Sequence, residues 1–454
     1  MSYTLITFGH IIILFLTLYS TTIQALQKIE QFNKYIVLTS AQHVIVSQSD
    51  SNLILNITTT NDNYYELRLH KEENSFNFEM DYYVGFVVTR NRDMKEGHAY
   101  GVLNEKGFFR GTFEVNDDKY YIEDAKRYLD NVGKDVVGFL YKSSDVHNIE
   151  NELNDEFKMD RPPSEVSTRF GDQFIENGPY CVLNIEVDKS LYYSFDRNIQ
   201  DIKQFVFMTV MGTNKIYREA DLVTIDGHPI QFVVGRLQVN TPQSCNSTGR
   251  RSYRCSNEKS SVEPKIFIED FSFAPAPHTD YCLSYVFSAQ NFGATLGIAY
   301  VGGVCEPQII DGDRNYNVGF ITTGGFRTQY QTELTLAHEF GHSLGSAHDS
   351  FGDGCLDPQY MEYPGYNLMS PIAPKVEKKN SRRFSPCSKK EIDQVLMEMK
   401  HSVRRNCLVK EPAPLITSIE EQKEERGGAA GPSSSVILSI FMCGILLTSC
   451  SVIY

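Results

Sequence analysis

Tryptophan is absent from this 454-residue chain, so 26 tyrosines and 28 phenylalanines carry the aromatic packing of its cores. Cysteine is absent up to Cys181, although the chain holds 10. A front segment without thiols can form no disulfide and can put no thiolate on a metal. No long basic run occurs, and 57 acidic residues outweigh 43 basic ones, for a formal charge of −14. That balance argues against nucleic acid as a partner. Paired-basic clusters of the Arg-x-Lys-Arg kind are missing from 143–177, the polar stretch where a processing cut would fall.

The two ends are apolar. Residues 1–25 read as a secretory signal, with a core from Ile11 to Leu18 and a cleavage site at Ile23-Gln24-Ala25. An N-terminal membrane anchor is the alternative, but the apolar run is short for a span. Residues 411–435 read as a polar linker and 436–454 as an apolar tail. Small residues, a spacer and a terminal apolar run resemble a GPI-attachment signal, with a short transmembrane anchor as the alternative. The expected place is the secretory pathway, at the extracellular face of the plasma membrane or secreted, with the tail contacting the membrane. There Cys181, Cys245, Cys255, Cys282, Cys305, Cys355, Cys387 and Cys407 form an even set, expected to make disulfides whose pairing sequence alone leaves open. Asn56-Ile57-Thr58 and Asn246-Ser247-Thr248 are glycosylation acceptors.

Between the ends the pattern changes once. Residues 26–177 read as a β-rich domain and its linker. Tyr65, Leu67 and Leu69 alternate with polar residues, and 82–88 is an apolar run. Residues 111–115 and 119–123 form a hairpin across Asn116-Asp117-Asp118. Arg161-Pro162-Pro163 suits a linker rather than the interior of a helix or strand. Residues 178–410 alternate strand runs (181–188, 233–239, 281–287, 296–301, 318–323) with helical spacing near 194–217, which predicts a mixed α/β sheet. Cys245 and Cys255 close a small loop or each pair at a distance. The strand at 296–301 is expected at an edge, free to pair with an extended peptide, with Pro371 and Ile372 lining a side-chain pocket.

The chemistry concentrates in His338-Glu339-Phe340-Gly341-His342-Ser343-Leu344-Gly345-Ser346-Ala347-His348-Asp349. Leu334, Ala337, Phe340 and Leu344 recur with a helical period, and the helix is expected to start near Thr332-Glu333. His338 and His342, four apart, present their imidazoles on one helix face, as Zn2+ requires. Gly345 can end the helix in a left-handed conformation and let the chain return His348 as third ligand. Glu339 stands beside the first ligand as general base, and Asp349 can orient the turn or a ligand. A surface helix with recurring histidines is the plain alternative, but so many fixed positions make it the weaker one. Met369 can pack beneath the histidines; on spacing alone it is an ordinary core methionine.

The string, the turn Tyr366-Asn367-Leu368-Met369, the runs Asp280–Phe287 and Leu296–Gly302, and Gly111-Thr112-Phe113 with Tyr120–Ala125 resemble the ADAM family of reprolysin (adamalysin)-type metzincins. Within it the chain most resembles the Kuzbanian-type, Notch-cleaving sheddases, over most of 26–410. The resemblance implies an α/β metzincin zinc-protease domain with a mixed twisted sheet and a long active-site helix, preceded by a β-rich propeptide-like domain. It makes Met369 the methionine of the family's turn. It implies the pairs Cys181–Cys282, Cys305–Cys407 and Cys355–Cys387, leaving Cys245–Cys255 as an additional one. It also implies protein or peptide substrates, membrane-protein ectodomains among them. The sequence departs from the family in lacking a zinc-blocking cysteine in the front domain and in running from Cys407 into a linker where disintegrin and cysteine-rich domains normally follow. The expected function is a zinc-dependent endopeptidase. The main rival is a metzincin-fold binding or regulatory module without useful turnover, against which Glu339 argues. A zinc hydrolase of non-peptide substrates is a third possibility.

Overall fold

The computed structural model describes residues 28–419 apart from 61–62, 73–79, 90–96, 131, 148–155, 158–177, 242–262, 274–277, 307–313, 325–326, 351–365 and 372–378. Two sheets frame the described chain, and both lie in one compact unit.

The front sheet holds β1 (Ile36–Thr39), β2 (His43–Gln48), β3 (Asn52–Thr58), β4 (Tyr64–Lys71), β5 (Asp81–Thr89), β6 (His98–Leu103), β7 (Phe109–Val115), β8 (Asp118–Asp124) and β9 (Val136–Lys142). From β2 to β9 each strand pairs antiparallel with the next, and β1 returns to pair with β9. Only residues 40–42 separate β1 from β2, which stand at opposite ends of the strand order. The ends must therefore meet, so the sheet curls into a barrel. Leu53, Leu55, Ile57, Tyr65, Leu67 and Leu69 alternate inward to a shared core, which for the last three is the expected alternation. The β7–β8 hairpin turns on two residues rather than the expected three. Asn116 and Asp117 have φ of 52° and 67°, the left-handed pair of a type I′ turn.

The second sheet runs β10 (Glu156–Phe157), β14 (Gly297–Tyr300), β15 (Val318–Thr322), β13 (Leu283–Ser288), β11 (Tyr180–Val187), β12 (Gln231–Val239) and β16 (Ile416–Ile419). All its pairings are parallel except β14–β15, so the sheet is mixed. A short α1 (Lys189–Ser194) precedes α2 (Ile199–Glu219). α2 and the metal-string helix α4 (Gln329–Ser343) cover one face, while α3 (Pro264–Ser272) packs Phe267 and Phe271 on the other against Val286, Ile298 and Phe320. α5 (Pro386–Lys400) follows, capped by Ser385.

Three expectations shift. The stretches expected to be linkers contribute β10 and β16, because an open sheet edge pairs with any extended backbone whatever its composition. Hence β14 is not a free edge: Glu156 and Phe157 pair in parallel with Ala299 and Tyr300. The zinc-string helix begins at Gln329, with Thr328 and Gln331 forming a capping box. Its first turn was hidden from periodicity because Gln329, Tyr330 and Gln331 are buried although two of them are polar. Among the described residues no helix is long and apolar enough to cross a membrane.

Candidate active site

The string residues converge. His338, His342 and His348 each offer a ring nitrogen within 4.8 Å of the others. His338 Nδ1 donates to the Leu368 carbonyl at 2.6 Å, and His342 Nδ1 donates to the Ser346 carbonyl at 2.8 Å. Those bonds fix the tautomer that leaves each Nε2 as a lone-pair donor. The Nε2 atoms of His338 and His348 stand 3.3 Å apart. Two ligands at roughly 2.0–2.1 Å from a tetrahedral zinc would be separated by about 3.3–3.4 Å. The donor set therefore fits zinc.

The return of His348 depends on how α4 ends. Gly345 takes φ of 97°; its N–H donates to the His342 carbonyl at 2.8 Å and that of Ser346 to the Gly341 carbonyl at 2.9 Å. This is a Schellman closure, which a β-carbon at Gly345 would oppose. Glu391 on α5 then pins the loop, accepting from Ala347 N at 3.0 Å and Ser346 Oγ at 3.2 Å. Asp349 donates its backbone N–H to the Met369 carbonyl at 2.8 Å, and its carboxylate accepts from Ser388 Oγ at 2.8 Å and from Ser385 Oγ. Burial raises the Asp349 carboxyl above its ordinary range, against the lowering by those two hydroxyls. Met369 is wholly buried, and its sulfur occupies the space that a side chain at Gly341 would take between the two helical ligands.

Glu339 is fully buried against β14: a Cβ at Gly297 would stand 2.4 Å from its Oε1. Tyr285 on β13 donates to the Glu339 carbonyl at 3.0 Å and lies 2.7 Å from Ser343 Oγ. Burial holds the Tyr285 hydroxyl well above its ordinary pKa, so it stays a donor. Sequence reasoning missed Tyr285 and Glu391. For Tyr285 a signal existed, since a buried tyrosine hydroxyl needs a partner.

Cys181–Cys282 and Cys305–Cys407 are disulfides, and Cys387 is disulfide-bonded. Cys355, Cys245, Cys255, Asn246 and Ile372 lie outside the described residues. Asn56 sits on β3, half-buried on the face opposite Leu55 and Ile57. Pro371 is half-buried.

Residues 179–385 match the model Reprolysin_5, metallo-peptidase family M12. The chain is 26% identical over 425 residues to disintegrin and metalloproteinase domain-containing protein 10 of Homo sapiens, covering 80% of this chain and 54% of the relative. The Caenorhabditis elegans homolog of that protein is 28% identical over 246 residues, covering 48% of this chain and 26% of the relative. The Caenorhabditis elegans homolog of disintegrin and metalloproteinase domain-containing protein 17 is 25% identical over 366 residues, covering 70% and 52%. The chain thus spans about half the length, or less, of the curated relatives it matches. Residues 179–385 are thus similar to reprolysin-type metalloprotease domains of family M12, and that similarity supports a zinc-dependent endopeptidase activity.

Proposed function

We propose that His338, His342 and His348 hold zinc and that Glu339 is the general base of an endopeptidase acting outside the cell. The convergence of three imidazoles, two of them held in the ligating tautomer, beside one buried carboxylate carries this reading. Zinc, when bound, supplies a Lewis acid that polarises a peptide carbonyl and lowers the pKa of water. Glu339 takes the proton of the attacking water and returns it to the leaving amine. Its wall at Gly297 and the Tyr285 bond to its own carbonyl hold it in place. Gly345, Asp349 and Met369 shape the loop and floor that present the third ligand.

The proposed organisation is a signal over 1–25, a front domain and linker over 26–177, the metalloprotease over 178–410, and a linker and membrane-attaching tail beyond. The disulfide partners of Cys387 and Cys245 are Cys355 and Cys255, and Asn56 and Asn246 carry glycans. Substrates are extended protein segments, membrane-protein ectodomains among them, as the resemblance to the Kuzbanian-type branch implies. One observation favours the second reading, a latent or regulatory module: β10 lies along β14, which an extended peptide would need.

Metal analysis and peptide-library cleavage on the full chain test both readings. Wild type and Glu339→Gln should each bind one zinc, with cleavage in the variant down about a thousandfold. Undiminished cleavage by the variant sinks the base assignment. Zinc without cleavage in wild type favours the latent module.

A further inference from the structure

The front domain grips the half of α4 that carries no metal ligand. Glu333, five residues before His338, is 1% exposed, and its charge is answered from β8. Lys119 Nζ, 3% exposed, lies 3.2 Å from Glu333 Oε2, and the Tyr121 hydroxyl donates to the same oxygen at 2.8 Å. On the other side the carboxylate fills the space over Gly212 of α2, where a Cβ would stand 2.1 Å from its Cδ. At the start of α4 the Gln329 N–H donates at 2.9 Å to Glu123, also of β8 and itself buried. A carboxylate there complements the positive end of the helix dipole. Tyr128 and Tyr141 donate to the same Glu123 oxygen at 2.7 and 2.5 Å.

Apolar contacts follow the same route. Tyr330 of α4 shares a cluster with Tyr121, Tyr128, Phe139 and Tyr141. Tyr82, Tyr100 and Val102 of β5 and β6 belong to the same core as α2 and the protease sheet. Without the front domain, α4 would keep a carboxylate in a slot between helices stripped of its Lys119 and Tyr121 partners, with Arg382 and Lys215 the cations left nearby, and a first turn with bare aromatic surface. None of these contacts uses residues 148–177.

We propose that the front domain is a resident subunit of the metalloprotease, held by the Lys119–Tyr121–Glu333 contact and the Glu123 cap, and that it stays bound after the linker is cut. This goes beyond the proteolytic reading and does not depend on it. A cut in the linker would separate the body of the front domain, which stays, from any inhibitory role of the linker itself.

The test places a recognition site for a narrow-specificity protease within 161–170 of the full chain. The product is nicked, then diluted to about 100 nM, well below the range in which weak contacts persist. Size exclusion should return both fragments together at the mass of the uncut chain, with zinc content unchanged. Lys119→Met and Glu333→Gln, each checked for folding before nicking, should speed fragment separation at least tenfold, because each breaks the buried ion pair that joins β8 to α4. Lys119→Met combined with Glu333→Met should return separation towards the wild-type rate. If the nicked wild type separates and the fragment C-terminal to the nick keeps its zinc and its fold, the proposal is overturned. It is likewise overturned if both single variants separate at the wild-type rate.

Discussion

At the scale of single residues, close approach decides more than identity does. Gly297 belongs to β14, yet its role is to leave room for Glu339. Gly297→Ala puts a methyl group onto the carboxylate, and Glu339, the proposed base, must turn away. Turnover should fall at least tenfold with bound zinc unchanged, since no ligand is touched. Metal content and turnover measured on one preparation check this, and unchanged turnover would refute the placement of the base. Lys119 offers a prediction in pH. Burial lowers its pKa from 10.5 to about 8, helped by Arg382 and Lys215 and opposed by Glu333 and Glu114. Between those two values the unfolded chain binds the proton and the folded one releases it, so this group's contribution to stability rises with pH. The stability difference between wild type and Lys119→Met should therefore move in favour of wild type across that window, with a slope of up to about 1.4 kcal/mol per pH unit. Unfolding curves at several pH values test it; a flat difference refutes it.

At the scale of elements, α4 is built from both ends. A capping box starts it and Gly345 stops it. Gly345→Ala meets two obstacles: a φ of 97°, and a β-carbon 2.6 Å from Val395 Cγ2 of α5. Together these should cost about 2–3 kcal/mol. They should also loosen zinc by displacing His348, measured as a faster loss of metal to a chelator alongside the unfolding free energy. A variant as stable and as zinc-retentive as wild type would mean that this turn does not set the third ligand. The C-terminal half of α4 was legible in sequence, because ligand spacing and a helix-ending glycine are local signals. Its first turn was not, because Gln329 and Gln331 are buried by a partner roughly two hundred residues away in sequence. The same reason hid β10 and β16, whose two- and four-residue pairings are set by the sheet edges they meet. It also hid the Lys119–Glu333 pair, 214 positions apart. The inward alternation of β4 was legible, but the closure of the barrel needed the strand order.

At the scale of the whole molecule, the boundary drawn from composition does not coincide with a boundary in the cores. Tyr82, Tyr100 and Val102 sit among protease residues, and Tyr330 and Leu334 sit among front-domain aromatics. Each large side chain buried this way contributes roughly 1.5–3 kcal/mol, and removing one partner of a buried ion pair costs about 3–5 kcal/mol. Opening the front barrel alone would forfeit several such terms at once and strip the first half of the zinc helix. Chains of this length commonly unfold in stages, so joint unfolding is a demanding expectation. It takes this form: the slowest-exchanging amides of β3 and β4 and those of β11 and β13 should share one opening free energy in native-state hydrogen exchange, and that value should equal the global one. Lys119→Met should lower both sets by the same amount, because the pair it breaks belongs to both cores. If β3 and β4 exchange at distinctly lower free energy while β11 and β13 stay protected, the barrel opens by itself and α4 stands without it. The buried contacts of Glu333 and Glu123 would then be adornments of an independent protease domain.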